Sequence, residues 1–343
     1  MLKNKHLRQR SNIKNILLIQ TGGTIAMSAK GDGVALDPSA WSHPLIEKIP
    51  QLSELTIIHT IPLFFEDSSD LNHHHWIKLA ECIHMHYHEY DGFVVIHGTD
   101  TMAFTASALS FALKHLTKPI VFTGSQVPLA SIRSDARRNL INSIEIATSN
   151  LQEVVICFND QVYRGNRTTK LSIGDFDAFG SPNLPPLATI GLEVKFCVET
   201  KKIIQPFSME SNFSNQLIVL TVFPSLDINY LLNLDITKLK AIIVRSFGSG
   251  NIPTKGNYSV LPFLEKCTDH GVIVAMISQA YFDAIDLSKY AAGKKISQAG
   301  AISCRDMTLE ASLTKMMWLL AQYSNKETIQ SEFLKDMAGE LTV

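Results

Sequence analysis

Two stretches of the chain run from a block of apolar residues straight into a glycine–hydroxyl turn: Ile16 to Thr24 (ILLIQTGGT) and Phe93 to Thr101 (FVVIHGTDT). A strand that is apolar on both faces has both faces covered, which places it in a parallel sheet. Ligands of such sheets sit just beyond the carboxyl ends of the strands. Two hydroxyl-bearing turns meeting at that edge are what an active site built on threonine requires.

Further apolar strand candidates lie at 56–61, 119–123, 153–158, 217–223, 241–245 and 271–277, with helical patterns between several of them. Trp76, Leu79, Ile83, Tyr87 and Tyr90 follow helical spacing, which predicts an amphipathic helix over 71–90. Met102, Ala106, Leu109, Leu113 and Leu116 mark a second helix; Phe104, Ala108 and Phe111 make its other face apolar too, so it is expected to be buried. Leu309, Leu313, Met316, Leu320 and Tyr323 mark a third, with Asp306 as its expected N-cap. This alternation predicts an α/β fold: a doubly wound, mostly parallel sheet in a larger N-terminal domain, followed by a smaller α/β C-terminal domain. A length of 343 residues exceeds one comfortable core. The polar stretch ETKKIIQPFSMESNFSNQ marks the seam, giving domains 1–197 and 215–343 around a linker at 198–214.

A formal charge of −1 and the lack of a long basic run argue against a nucleic-acid partner. The apolar run Ile16 to Ile19 is too short for a signal h-region or a membrane span and reads as a core strand. Cys82, Cys157, Cys197, Cys267 and Cys304 are scattered, without CxxC spacing, which fits a reduced, cytoplasmic chain.

Four segments carry residues suited to chemistry. In TGGTIAM the paired glycines permit positive φ and close backbone approach, and Thr24 follows; taken alone, a tight turn explains the triplet. In HGTDTM, Asp100 can cap the helix that starts there and also bind a substrate ammonium, two compatible roles, but a bare cap leaves Thr99 unexplained. In DSSD, hydroxyls and N–H groups of Asp67, Ser68 and Ser69 can cradle a carboxylate, while the plainer role is Asp70 capping the next helix. In YRGNRTTK, Lys170 is either a solvated lysine or the base that a threonine nucleophile needs. His73, His74, His75, His84 and His88 lack HExxH or cysteine–carboxylate company, so they are expected on the solvated face, with no metal.

Together TGGTIAM, DSSD, DGFVVIHGTDTMAFTASALSF, PIVFTGSQVPLASIRSD, YRGNRTTK, FDAFGSPNLPPL, RSFGSGNIP and DMTLEASLTK resemble the bacterial-type L-asparaginase family, and most its cytoplasmic type I branch. The resemblance runs from about Asn15 to Leu341. It implies hydrolysis of L-asparagine to aspartate and ammonia, without a cofactor. It implies Thr24 as the nucleophile and Thr99, Asp100 and Lys170 as the second half of the catalytic set. Asp67, Ser68 and Ser69, with Thr99 and Asp100, would hold the substrate. Gly23, Thr24 and Thr99 are positioned on turns to offer backbone N–H groups to an oxyanion. The resemblance also implies a homodimer or homotetramer, with Asn251 reaching towards a partner's site.

The chain departs from the family at three places. Val34 stands where the family has a tyrosine on the loop after the nucleophile, and it is expected to weaken closure and lower the rate; ammonia release by Val34→Tyr tests this. Ala136 replaces a frequent glycine in SDARRNL, where a local loop effect is expected, and 276–290 diverges from a glycine-rich segment. Two alternatives follow. One is an asparagine-binding protein with little turnover, favoured by Val34. The other is an amidase subunit of a tRNA-dependent amidotransferase, disfavoured by the short segment before the first strand.

Overall fold

The structure, a computed structural model, describes residues 13–30, 33–36, 52, 56–198 and 203–342; the side chains of 26–30 and 33–36 lie outside the description. The chain divides into two compact units, Met1–Ser181 with Pro185–Ser211, and Pro182–Leu184 with Asn212–Val343. All eight strands expected from the apolar runs form.

The first unit is built on an eight-stranded sheet in the order Val194–Phe196, Ala188–Ile190, Gln161–Arg164, Val154–Phe158, Ile120–Thr123, Gly92–Ile96, Asn15–Gly22, Ile57–Glu66. Contacts from Ile57–Glu66 to Val154–Phe158 are parallel, and the three strands at the other edge are antiparallel. Numbered along the chain, the parallel strands lie in the order 2-1-3-4-5. The direction of winding therefore reverses between Asn15–Gly22 and Gly92–Ile96. That reversal opens a crevice at the carboxyl end of the sheet, and both glycine–hydroxyl turns emerge there. The two strands on either side of it have the core burial their sequences require: Ile16 to Ile19 and Phe93 to Ile96 are fully buried.

The helix expected at 71–90 spans His73–His86, burying Trp76, Leu79 and Ile83. Its cap is Asn72, whose side chain accepts from His74 N at 3.0 Å, and not Asp70, which lies in the preceding turn Ser68–Asp70. His74, His84 and His88 are exposed, whereas His73 and His75 are half-buried. The helix Met102–Ala112 is buried nearly all round. The expected loop effect at Ala136 does not arise in a loop: Ala136 is fully buried as the first residue of the helix Ala136–Ala147.

The second unit contains a four-stranded parallel sheet, Leu217–Thr221, Ala241–Ser246, Ile273–Ser278 and Ile302–Ser303. Val222, Ile242, Val244, Phe263, Val274 and Met276 form part of its core. The helix Leu309–Gln322 is capped by Thr308, which accepts from Ala311 N at 3.1 Å, and not by Asp306. A cap must stand directly before the first turn. Asp306 lies two residues too early and instead accepts from Thr342 N and Oγ1 at 2.9 and 2.6 Å.

Candidate active site

Three turns pack closely on one another at the crevice. Gly22 and Gly23 have φ of 127° and 94°, which L side chains rarely adopt. A Cβ on Gly23 would stand 2.6 Å from Gly98 N and 2.7 Å from Gly98 Cα. A Cβ on Gly98 would stand 2.6 Å from Ser68 Oγ and 2.7 Å from Ser68 Cβ. Neither position has room for a side chain, so the glycines are what lets the first strand's turn, the GTD turn and the DSSD turn close on one another. Thr24, the residue after Gly23, opens the turn Thr24–Ala26 and is half-buried. Thr101 Oγ1 donates to Ser68 O at 2.7 Å and ties the second and third turns together.

Lys170 reaches the crevice from a segment that packs on the helix Met102–Ala112. The turn Gly165–Arg167 packs on that helix, with Gly165 so close that a Cβ there would be 3.1 Å from Ala106 Cβ. Asn166, Arg167 and Thr168 are buried behind it. The short strand Thr169–Lys170 then pairs with Phe179–Gly180 and aims the lysine. Lys170 Nζ donates to Thr99 Oγ1 at 2.8 Å and to Asp100 Oδ1 at 2.7 Å. Asp100 is therefore not a helix cap; Thr101 holds that position, with no side-chain capping bond. The lysine is mostly covered and Asp100 mostly exposed, at 16% and 63% of their side-chain surface. The amine thus sits inward against Thr99 while the carboxylate faces the opening.

Asp67 turns its carboxylate on its own loop, accepting from Ser69 N and Ser69 Oγ at 2.9 and 2.7 Å. Those two bonds hold its carboxyl below the usual carboxylate range. Ser68 is buried against Gly98, and Ser69 is exposed. Beneath the turns, His97 is wholly buried and burial pushes its pKa down to about 4, despite the bond to Gly98 O that favours the charged ring. Its Nδ1 faces Gly98 O at 2.7 Å, so the proton of the neutral ring sits on Nδ1.

The structure thus brings Lys170 into contact with Thr99 and Asp100, and packs Gly23 and Ser68 against Gly98; Thr24 follows Gly23 in the chain. Asn251 lies in the second unit, its backbone exchanging hydrogen bonds with Phe247 at 2.8 Å. Val34 falls in the strand Gly33–Leu36, opposite Ala29, and its side chain lies outside the described residues. Two contributors lie in the segment PIVFTGSQVPLASIRSD, to whose residues the sequence alone assigns no chemical role. Gln126 Oε1 accepts from Thr99 Oγ1 at 3.2 Å, and Asp135 accepts from Gln126 N at 3.1 and 3.0 Å. Among the described residues no cluster of three or more His, Cys, Asp or Glu side chains could hold a metal ion, and no helix is long and apolar enough to cross a membrane.

A hydroxyl turn at the switch point of a parallel sheet and a lysine–threonine–aspartate contact beside it define an α/β protein with a candidate active site at the carboxyl end of its larger sheet. Residues 15–202 match the family described as Asparaginase, N-terminal, and residues 216–333 the Glutaminase/Asparaginase C-terminal domain. The chain belongs to the asparaginase family. It is similar to L-asparaginase 1 of Escherichia coli (strain K12), with 39% identity covering 96% of this chain and 98% of that protein. It is also similar to a glutamyl-tRNA(Gln) amidotransferase component of Pyrococcus abyssi (strain GE5 / Orsay), with 31% identity covering 97% of this chain and 78% of that one. Among solved structures, L-asparaginase I from Vibrio cholerae O1 biovar eltor str. N16961 superposes with a TM-score of 0.85 at 34% identity, covering 96% of this chain and 100% of that one.

Proposed function

We propose that this protein is an amidohydrolase that converts L-asparagine to L-aspartate and ammonia through an acyl-enzyme on Thr24. The observation that carries the reading is the contact of Lys170 Nζ with Thr99 Oγ1 and Asp100 Oδ1, made beside the Gly23–Thr24 turn. A threonine hydroxyl is a poor nucleophile unless a neighbour takes its proton.

In this reading the Thr24 oxygen attacks the side-chain amide carbon. The proton it releases is taken by the Lys170 amine, which Thr99 and Asp100 hold in place, and is handed to the amide nitrogen, which departs as ammonia. Water then attacks the Thr24 ester, the acid product forms, and the proton returns to Thr24. Backbone N–H groups of Gly23, Thr24 and Thr99 stabilise the oxyanion, a contribution of about 3 kcal/mol per well-placed donor. Asp100, exposed at the opening, takes the substrate ammonium. Ser68 and Ser69 take the α-carboxylate, with Asp67 holding their loop in shape. No step needs a cofactor.

We place the protein in the cytoplasm as a homodimer or homotetramer, with Asn251 completing a partner's site. The free state of all five cysteines supports the reducing compartment. Ammonia release from purified protein with L-asparagine, D-asparagine and L-glutamine side by side tests the function. Calorimetric binding of L-asparagine without ammonia release would replace it with a binding role, the reading that Val34 favours. Turnover only with a tRNA-dependent partner would replace it with the amidotransferase role, which the similarity to the P. abyssi protein keeps in view.

A further inference from the structure

Gln126 follows the strand Ile120–Thr123, the neighbour of the strand that leads into Thr99. Its backbone is held firmly. The Asp135 carboxylate accepts from Gln126 N, from Val127 N at 3.1 Å and from Asn139 Nδ2 at 3.0 Å. The side chain then spans two parts of the site. Nε2 donates to Asp175 O at 3.1 Å and to Ser172 O at 3.4 Å, while Oε1 faces Thr99.

The two carbonyls decide which way this amide points. A carbonyl only accepts, so the nitrogen must face the loop and the oxygen must face Thr99. Thr99 Oγ1 therefore donates to Gln126, at 3.2 Å. A hydroxyl has a single proton. With that proton committed to Gln126, the Thr99 oxygen offers only lone pairs to Lys170 Nζ, 2.8 Å away. The hydrogen bonds run one way, from Lys170 to Thr99 to Gln126, and on to the loop that follows Lys170.

That loop has little packing of its own. Leu171, Ile173 and Phe176 are 52%, 89% and 41% exposed. Gly174 N and Asp175 N donate to Ser172 Oγ at 3.2 and 3.1 Å and Asp177 N to Asp175 Oδ1 at 3.2 Å, while Leu171 N and Ser172 N close the base of the loop on Ala178 O at 2.8 and 3.3 Å. The Gln126 amide fastens this exposed loop to the covered side of the crevice.

We propose that Gln126 is a positioning residue for the Thr99–Lys170 pair: it aims the Thr99 hydroxyl and ties down the loop that follows Lys170. The effect on turnover rests on the amidohydrolase reading; the effect on geometry does not. Gln126→Met keeps the side-chain length and removes both the acceptor and the donor. Gln126→Asn keeps the amide but shortens it by one methylene, so that it no longer spans from Thr99 to the loop.

The test is a double-mutant cycle on ammonia release, joined to crystal structures of the variants. Each Gln126 variant is expected to lower kcat about 10- to 100-fold, the scale of a small misplacement at a reacting centre, with KM little changed. In a Thr99→Val background the same change is expected to cost clearly less than in the parent, because the hydroxyl it aims is gone and only the tie to the loop is left to lose. An equal loss in both backgrounds overturns the proposal. In the Gln126→Met crystal structure, the Lys170–Thr99 contact is expected to open beyond hydrogen-bond distance or the 172–175 loop to shift. Finding both in place also overturns the proposal. If the parent protein releases no ammonia, the amidohydrolase reading fails, and the crystal structures still decide the role of Gln126.

Discussion

Lys170 Nζ lies 2.8 Å from Thr99 Oγ1 across a separation of 71 positions in the chain. The contact is made by packing rather than by either segment alone. Thr99 is placed by the strand Gly92–Ile96, whereas Lys170 is placed by the Gly165–Arg167 turn seated on the helix Met102–Ala112. The chemistry proposed for this crevice depends on both supports.

Thr24→Ala removes the proposed nucleophile from a half-buried turn without opening the core. Ammonia release should fall by at least about a thousandfold, the order seen when a covalent nucleophile is removed. Calorimetry should show L-asparagine still bound, and the melting temperature should stay near that of the parent. Retention of a tenth of the activity would exclude Thr24 as the nucleophile.

Lys170→Met keeps the stem of the side chain and removes the amine bonded to Thr99 and Asp100. The expected loss in kcat is about 10²- to 10⁴-fold, the usual contribution of a positioned proton carrier. Steady-state kinetics that show a change in KM alone would assign the lysine to binding.

Gly98→Ala would put a methyl group 2.6 Å from Ser68 Oγ, so the DSSD turn must move away from the GTD turn. The strain should cost about 1–3 kcal/mol of stability. KM should rise because the loop proposed to hold the substrate's ends is displaced. A crystal structure and a saturation curve check the two halves of this expectation, and an unmoved loop with parental KM would refute it.

His97 gives the fold a defined acid sensitivity. Its folded pKa is depressed from 6.5 to about 4, chiefly by burial. The unfolded chain binds the proton more readily. The stabilisation is therefore complete above pH 6.5 and is lost as pH falls through about 4. Its size is on the order of 3 kcal/mol. Urea unfolding of the parent and of His97→Gln across this range should show a shallower pH slope for the variant; identical slopes would contradict the assignment.

The side chains of Lys315 and Glu340 are fully buried and paired, with Glu340 also accepting from Met337 N at 3.1 Å and Ala338 N at 2.7 Å. Burial pushes the Lys315 pKa down, opposed by the Glu340 charge. Lys315→Met should cost about 3–5 kcal/mol by leaving a buried carboxylate without its cation. Lys315→Met combined with Glu340→Leu should cost much less than the sum of the single changes. Denaturant titration of the set measures the coupling, and simple additivity would count against the pair as a unit.

The helix caps show where reading along the chain stops. Asp70 and Asp306 have the chemistry of a cap and lie near helix starts, yet Asn72 and Thr308 do the capping. The periodic pattern locates a helix but leaves its first residue open by a turn. Asp100 also stands near a helix start, and only the family resemblance, not the residues around it, set Lys170 beside it; the fold makes the contact. Ala136 reads as a loop change in SDARRNL, but the chain has already entered a helix there, with Ala136 buried.

The linear sequence fixes the apolar runs, the glycines that let turns close and the hydroxyls that follow them, because strand burial and positive φ are demanded locally by residue type. Those features were enough to indicate the parallel sheet, the crevice edge and the family. The tertiary structure decided how Lys170, Thr99 and Gln126 line up, which way the Gln126 amide faces, and that residues 182–184 pack with the second unit. Such relations depend on distances between segments remote in the chain, which packing sets and residue order does not record.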